Sequence, residues 1–256
     1  MRNIAAIFRR ELMTYFYSPI AYGVIAIFLI ITGFLFYSVF AYFSLVSLRA
    51  AQSPAFAQQL NITAFVIEPI VRDMSWWGLF IVPFLTMRLF AEERRLGTAE
   101  LLFTYPVRDS EVVLGKFLAC LAVYGIALGL TGLYPAVVAL FGEPEVGPII
   151  SGYLGLFLAG VAYVAFGTFI SSLTRHQILA VALSIGFLLL LWVVAWGEFF
   201  AGPFLGQVLK HVSLRSHLWE FSKGVIDTKG IIYFLNFSAF FLFLTMRSLE
   251  GQKWRG

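Results

Sequence analysis

Residues 20–43, IAYGVIAIFLIITGFLFYSVFAYF, contain no charged side chain. A helix needs only about 20 apolar residues to cross the roughly 30 Å of hydrocarbon in a bilayer. Five further charge-poor runs follow, at about 76–90 (with Arg88 near its end), 112–141 (with Lys116 in its first turns), 149–172, 178–197 and 231–246. These runs are too long for strands and lack ten-residue alternation, which argues against an outer-membrane barrel. Composition agrees, since 60% of the 256 residues are hydrophobic, 12% are charged, and the mean hydropathy is +0.87. A soluble domain carries about a quarter charged residues, so this chain cannot coat a globule in water. The pattern predicts an all-α polytopic membrane protein with six transmembrane helices, in one membrane domain over residues 1–256.

Basic residues set orientation. Twelve fall on one side of the predicted topology, namely Arg2, Arg9, Arg10, Arg88, Arg94, Arg95, Arg108, Lys116, Arg175, Arg247, Lys253 and Arg255. The other side holds six: Arg49, Arg72, Lys210, Arg215, Lys223 and Lys229. The bias predicts both termini in the cytoplasm. The apolar run from Ile20 exceeds a signal-peptide core and lacks a cleavage site, so no cleaved leader is expected. Residues 3–17 fit an interfacial helix, with Ile4, Ile7, Phe8, Leu12, Tyr15 and Phe16 in one stripe. Arg9 and Arg10 lie off the stripe, Glu11 follows them, and Ser18-Pro19 ends the helix and opens the next. Residues 1–19 therefore form an elbow. Two long outer loops are expected at 44–75, with Trp76 and Trp77 as an interfacial anchor, and at 198–229, where short helices could lie on the outer surface.

Catalytic constellations are missing from the sequence. Arg88, Lys116 and Glu198 lie near span ends, where snorkelling accounts for them. His176, His211 and His217 fall in loops, and no paired carboxylates, HExxH, GxSxG or CxxC pattern occurs. Cys120 is the sole cysteine and sits in an apolar run. Gly115-Lys116 is followed by Phe117, and Ser110 stands where a phosphate loop needs its first glycine. The chain is expected to be a non-enzyme, with no metal or cofactor of its own and no nucleic-acid partner. Asn61-Ile62-Thr63 has the glycosylation pattern, and Gly125 with Gly129 form a GxxxG that would suit a close helix contact or a dimer seam.

The exception to this apolar monotony is residues 91–116, AEERRLGTAELLFTYPVRDSEVVLGK. Gly97 breaks the helix leaving the second span. Thr98 can cap a new one, with Glu100 near its positive end. Leu101, Leu102 and Tyr105 give that short helix an apolar face, and Pro106 stops it. Asp109 or Ser110 would cap the third span. A loop that served only orientation would not need two caps and two breakers, so a cytoplasmic docking helix is expected.

The stretch MRLFAEERRLGTAELLFTYPVRDSEVVLGK, residues 87–116, resembles the hallmark of type 2 ABC exporter permeases. It shows a Glu/Arg cluster, Gly-Thr-x-Glu-Leu-Leu, a Pro and a closing Gly-Lys. The run from Met87 to Arg95 and the later SLRSHLWEFSKGVIDTKGIIYFL, residues 213–235, are most similar to the permeases of gliding-motility-associated exporters and of copper-enzyme maturation systems. The resemblance implies a permease of a bacterial inner membrane that pairs with a second permease, identical or homologous. Two separately encoded cytoplasmic ATPases would carry ATP and Mg, and an auxiliary periplasmic subunit could join them. Segment 91–111 would be the coupling element, with Leu101, Leu102 and Tyr105 filling a groove on the ATPase. Glu92, Glu93, Arg94, Arg95 and Glu100 would fix its register, and the elbow helix with Arg9, Arg10 and Glu11 would contribute. An ATP-driven mechanical complex without transport, a secondary transporter or channel, and a membrane enzyme are the competing readings. The scarcity of intramembrane charge disfavours the last two.

Overall fold

The computed structural model describes residues 2–50, 60–97, 108–199 and 202–253, and these residues form helices and short connections with no strand. Among the described residues six helical segments are long and apolar enough to cross a membrane: Pro19–Arg49, Thr63–Leu96, Asp109–Phe141, Val146–Leu173, Gln177–Gly197 and Thr228–Gly251. Helix α1 (Arg2–Tyr17) precedes the first of them. Ser18 separates α1 from α2 (Pro19–Ala50), its amide donating to the Tyr15 carbonyl at 3.2 Å while its Oγ accepts from the Ile20 amide at 3.4 Å. With no N–H to leave unpaired, Pro19 opens α2 at no cost in hydrogen bonding.

The second span starts well before the charge-free run that the sequence offered. A π-helical turn at Thr63–Ile67 leads directly into α3 (Glu68–Thr86). Among the described residues of the stretch expected as outer loop, 44–50 continue α2 and 63–75 already belong to the second span. Val66, Ile67, Ile70, Val71 and Met74 recur at helical spacing and are buried, which leaves Glu68, Arg72 and Asp73 on the less buried side. Trp76 is not a free-standing surface anchor. Its ring meets Phe80 at 5.3 Å and Trp192 at 5.6 Å, inside an aromatic cluster. Asn61 caps this end, its Oδ1 accepting the Thr63 amide at 2.8 Å and its Nδ2 donating to Glu145 at 2.9 Å.

Six-residue α4 aside, every later span is continuous or nearly so. After the Met87–Phe90 turn comes α4 (Ala91–Leu96), then α5 (Asp109–Thr131), which bends at Gly132 into α6 (Leu133–Phe141). Helix α7 (Val146–Leu173) is the hub, touching α3, α5 and the last helix. Its small residues make this possible: a Cβ on Gly160 would lie 2.0 Å from the Tyr124 ring, and one on Gly167 would lie 2.1 Å from Thr86 Oγ1. Close glycine contacts of this kind let helices approach without a hydrophobic drive, which lipid does not supply. The predicted GxxxG does otherwise: a Cβ added to Gly125 or Gly129 would meet nothing within 4 Å outside its own helix among the described residues, so neither glycine makes a tight helix contact there.

Helix α8 (Gln177–Val193) returns to the far end and runs into a 3-10 turn at Val194–Phe199. Then come α9 (Pro203–Val212), α10 (Leu214–Ser222) and the last span, α11 (Thr228–Lys253). Short helices were expected here at the surface, yet α10 is inserted into the bundle. Its Leu214, Leu218 and Phe221 are buried, and Ser151 Oγ of α7 donates to the Phe221 carbonyl at 2.7 Å. Phe166, Phe187 and Phe241 close the core between α7, α8 and α11, with ring centroids 4.4 and 4.8 Å apart around Phe166.

Candidate functional site

The end of the bundle that carries the N-terminus gathers the chain's buried charge. Helix α1 lies on α5 with Ile4, Ile7, Phe8, Leu12 and Tyr15 turned inward or partly covered, while Phe16 is exposed. The fit at the crossing is close, since a Cβ on Gly115 would come within 2.7 Å of the Ile7 side chain. The next residue, Lys116, is 2% exposed and therefore does not snorkel. Its Nζ lies 2.9 Å from Glu11 Oε1 of α1 and 2.9 Å from Glu93 Oε1 of α4, and 5.4 Å from the centre of the Phe90 ring. An ammonium taken out of water loses several kcal/mol of hydration, so it persists only with such partners. The closing Gly-Lys of the charged segment is therefore the seat of the N-terminal helix: Gly115 admits Ile7, and Lys116 holds Glu11.

A second cation ties the neighbouring turn. Arg88 makes a fork to Glu92, Nε to Oε2 at 2.7 Å and a second guanidinium nitrogen to Oε1 at 3.1 Å, and also donates to Ser18 Oγ. Paired, nearly parallel bonds of this kind fix direction as well as distance. The turn itself rests on α7. Ser171 Oγ accepts the Phe90 and Ala91 amides, each at 3.1 Å, and donates to the Met87 carbonyl at 3.1 Å. Arg94 donates to the Ser172 carbonyl. Helix α4 then stops at Gly97, whose φ of 71° suits glycine at a helix end. Tyr15 donates to the Leu85 carbonyl at 2.8 Å, and burial, with smaller effects from Cys120 and Glu11, holds its hydroxyl well above the ordinary tyrosine range. Tyr15 is thus a fixed donor at any physiological pH.

These groups surround a cleft of about 330 Å³ lined on one side by Arg10, Glu11 and Tyr15 and on the other by Arg88, Glu92 and Lys116. Of the site residues expected from sequence, Arg10, Glu11, Glu92 and Glu93 come together here, while Arg94 turns to the end of α7. Arg9, Arg10 and Arg95 are exposed at the same end, and Gly97 marks its edge. Thr98, Glu100, Leu101, Leu102, Tyr105 and Pro106 lie outside the described residues. Neither Asp109 nor Ser110 provides the predicted cap of the third span. Arg108 occupies that position, and its amide donates to Glu111 Oε2 at 3.2 Å, a carboxylate that also accepts from Asn3 at 3.1 Å. Sequence reasoning passed over Arg88, Lys116 and Ser171 as site residues. A signal for Lys116 was present, because Glu11 falls inside the apolar stripe 4–7–8–11–12–15, where a carboxylate needs a buried cation.

The arrangement joins helices through ion pairs and hydrogen bonds. Among the described residues no group of three His, Cys, Asp or Glu could hold a metal ion. At the far end His217 Nε2 donates to the His211 carbonyl at 3.1 Å, and His211 Nδ1 to the Gln207 carbonyl at 2.9 Å. Residues 52–212, well over half of the chain, match the model of a family described as ABC-2 family transporter protein. The matched region takes in the second to fifth spans and all of segment 91–111. No curated protein matches the chain.

Proposed function

The chain belongs to the ABC-2 family of transporter proteins and is a transmembrane ABC permease, and on that premise we propose that it serves an exporter driven by two separately encoded cytoplasmic ATPase subunits. ATP and Mg would bind those subunits. Segment 91–111 is the coupling element, gripped on Leu101, Leu102 and Tyr105, and the elbow helix α1 moves with it. The observation that carries this reading is Lys116, which clamps α1 through Glu11 and α4 through Glu93 at the base of the third span. Any push on the residues after Gly97 reaches Glu93 within one short helix, and from there both α1 and α5. Arg88 and Arg94 extend the connection to the start of α2 and the end of α7.

The same reading puts this end, with both termini, on the cytoplasmic side of a bacterial inner membrane, in line with the excess of basic residues there. It includes a second permease, identical or homologous, and leaves room for an auxiliary periplasmic subunit at the far end. The likeness of residues 87–95 and 213–235 supports a place near the gliding-motility and copper-enzyme-maturation permeases. The test is Leu101→Asp in membranes that also hold the ATPase. Capture of the ATPase is expected to fall to background while the permease inserts normally. Unchanged capture with an unchanged hydrolysis rate would remove the coupling role.

A further inference from the structure

The third span changes its hydrogen bonding where α5 passes into α6. In an α-helix each carbonyl accepts from the amide four residues on. For Thr131 that residue is Pro135, which has no N–H to give. The Thr131 carbonyl instead accepts the hydroxyl of Tyr153 on α7 at 2.7 Å. The carbonyl one turn earlier is diverted too: the Gly132 amide donates to Gly129 at 3.0 Å, and Leu128 accepts the Thr131 hydroxyl at 2.7 Å. A hydroxyl carries one proton, so these bonds use the protons of both side chains. Gly132 suits the turn, since a Cβ there would lie 2.9 Å from the Gly129 carbonyl.

The two sides of this point are held differently. Helix α5 packs chiefly on α1 and α7 and buries side chains from Val112 to Thr131. Helix α6 buries Val138 alone, with Leu133, Leu140 and Phe141 exposed. It leans on α2 mainly through rings, Tyr134 stacked on Phe36 at 5.0 Å and Phe141 against Phe40 at 5.5 Å. A bond to the third residue back in mid-helix, followed by a proline, marks a place where a helix bends. Side-chain hydroxyls stand in for backbone donors at Leu128 and Thr131, so bending there need not break the helical ladder on either side. Lipid has no water to replace the Tyr153 bond, which makes that hydroxyl a latch.

We propose that α6 is a hinged distal arm of the third span, turning at Thr131–Pro135 along the aromatic face of α2 and latched to α7 by the Tyr153 hydroxyl on the Thr131 carbonyl. The hinge goes beyond the coupling role of segment 91–111 and does not rest on it. It lets the far end of the third span change direction while Lys116 keeps the base of that span fixed to α1 and α4.

The experiment measures spin-label distances in the full chain in bilayer discs, in a Cys120→Ala background. One pair, Leu140→Cys with Ile232→Cys, crosses the hinge to α11; the other, Leu118→Cys with Ile232→Cys, stays on the near side of it. All three positions are exposed. Tyr153→Phe, which removes only the latching hydroxyl, should raise the share of a second distance in the crossing pair at least about fivefold, the worth of one net hydrogen bond. The near-side pair should not change. Adding Pro135→Ala to Tyr153→Phe supplies the missing backbone amide and should return the crossing pair to a single distance. An unchanged crossing pair in Tyr153→Phe would overturn the latch. Equal broadening of both pairs would make Tyr153 a packing residue of the whole bundle, and failure of Pro135→Ala to rescue would show that the freed carbonyl is not what the hinge turns on.

Discussion

The two ends of the bundle solve opposite problems. At the N-terminal end α1, α4 and α5 meet through charge: Lys116 between two carboxylates, Arg88 forked onto Glu92, and a serine that satisfies two amides at once. At the far end α9 and α10 are held by an apolar insertion, a few carbonyl contacts and an aromatic stack, with an open groove beside them. Charge pairs buried in protein are directional and costly to separate. Apolar contacts slide with little penalty. The proposed coupling through segment 91–111 calls for a stiff connection where force would enter, and the charged end is built in that way.

The sharpest way to break the comparison is Lys116→Ala. It would remove the ammonium that Glu11 and Glu93 share, and losing one partner of a buried ion pair destabilises by about 3–5 kcal/mol. Thermal unfolding of the detergent-solubilised protein measures it. An apolar replacement of all three, Glu11→Leu with Glu93→Leu and Lys116→Met, should recover most of that stability, since well-packed apolar triads often match ionic ones. If the node serves coupling, ATP-dependent activity stays lost while stability returns. Recovery of both would make the node merely structural.

Next in size is Gly160→Ala in α7. The added Cβ would meet the Tyr124 ring at 2.0 Å, and Tyr124 is itself fixed by donating to the Leu156 carbonyl at 2.9 Å. Overpacking of this kind costs about 1–3 kcal/mol. The effect should appear equally in assays of either end, because α7 touches both. A loss confined to one end would mean that the hub does not connect them.

How much of this was legible in the sequence follows from how each part is built. Charge-free runs found all six spans, because hydrocarbon tolerates few charges along any face. They missed the first half of the second span, where Glu68, Arg72 and Asp73 sit on the less buried side of a helix whose other face is core. Periodicity was the right instrument there, and a run without charge was not. The stop at Gly97 was legible, because a left-handed helix end favours glycine on local grounds. The pairing of Lys116 was not, since its two partners lie 105 and 23 residues away and only tertiary packing brings them together. The inward placement of α10 escaped for a like reason: Arg215, Glu220 and Lys223 make 213–223 look like a surface segment, while Leu214, Leu218 and Phe221 share the face that meets α7.

The smallest expected effect concerns His217 and separates the ends by pH. Its ring stacks on Tyr233 with centroids 4.1 Å apart, Phe234 faces its edge, and Nε2–H is held by the His211 carbonyl. The second proton must therefore enter at Nδ1. Burial pushes the imidazole below the ordinary histidine value, opposed by the bond to His211 and by Asp227, while the His211 ring adds to the depression. An unfolded chain takes up that proton near pH 6.5 and the folded one only at lower pH. The unfolded state then binds more protons in the window between those two values, so stability rises with pH across it. Stability is full above about pH 6.5 and declines as pH falls toward the folded value. The unfolding midpoint of the full chain should drop modestly between pH 7.5 and 5.5, and His217→Phe, which keeps the stack without a titrating group, should flatten that slope. If the slope survives in His217→Phe, the far end is not held by a neutral imidazole and its pH response has another source.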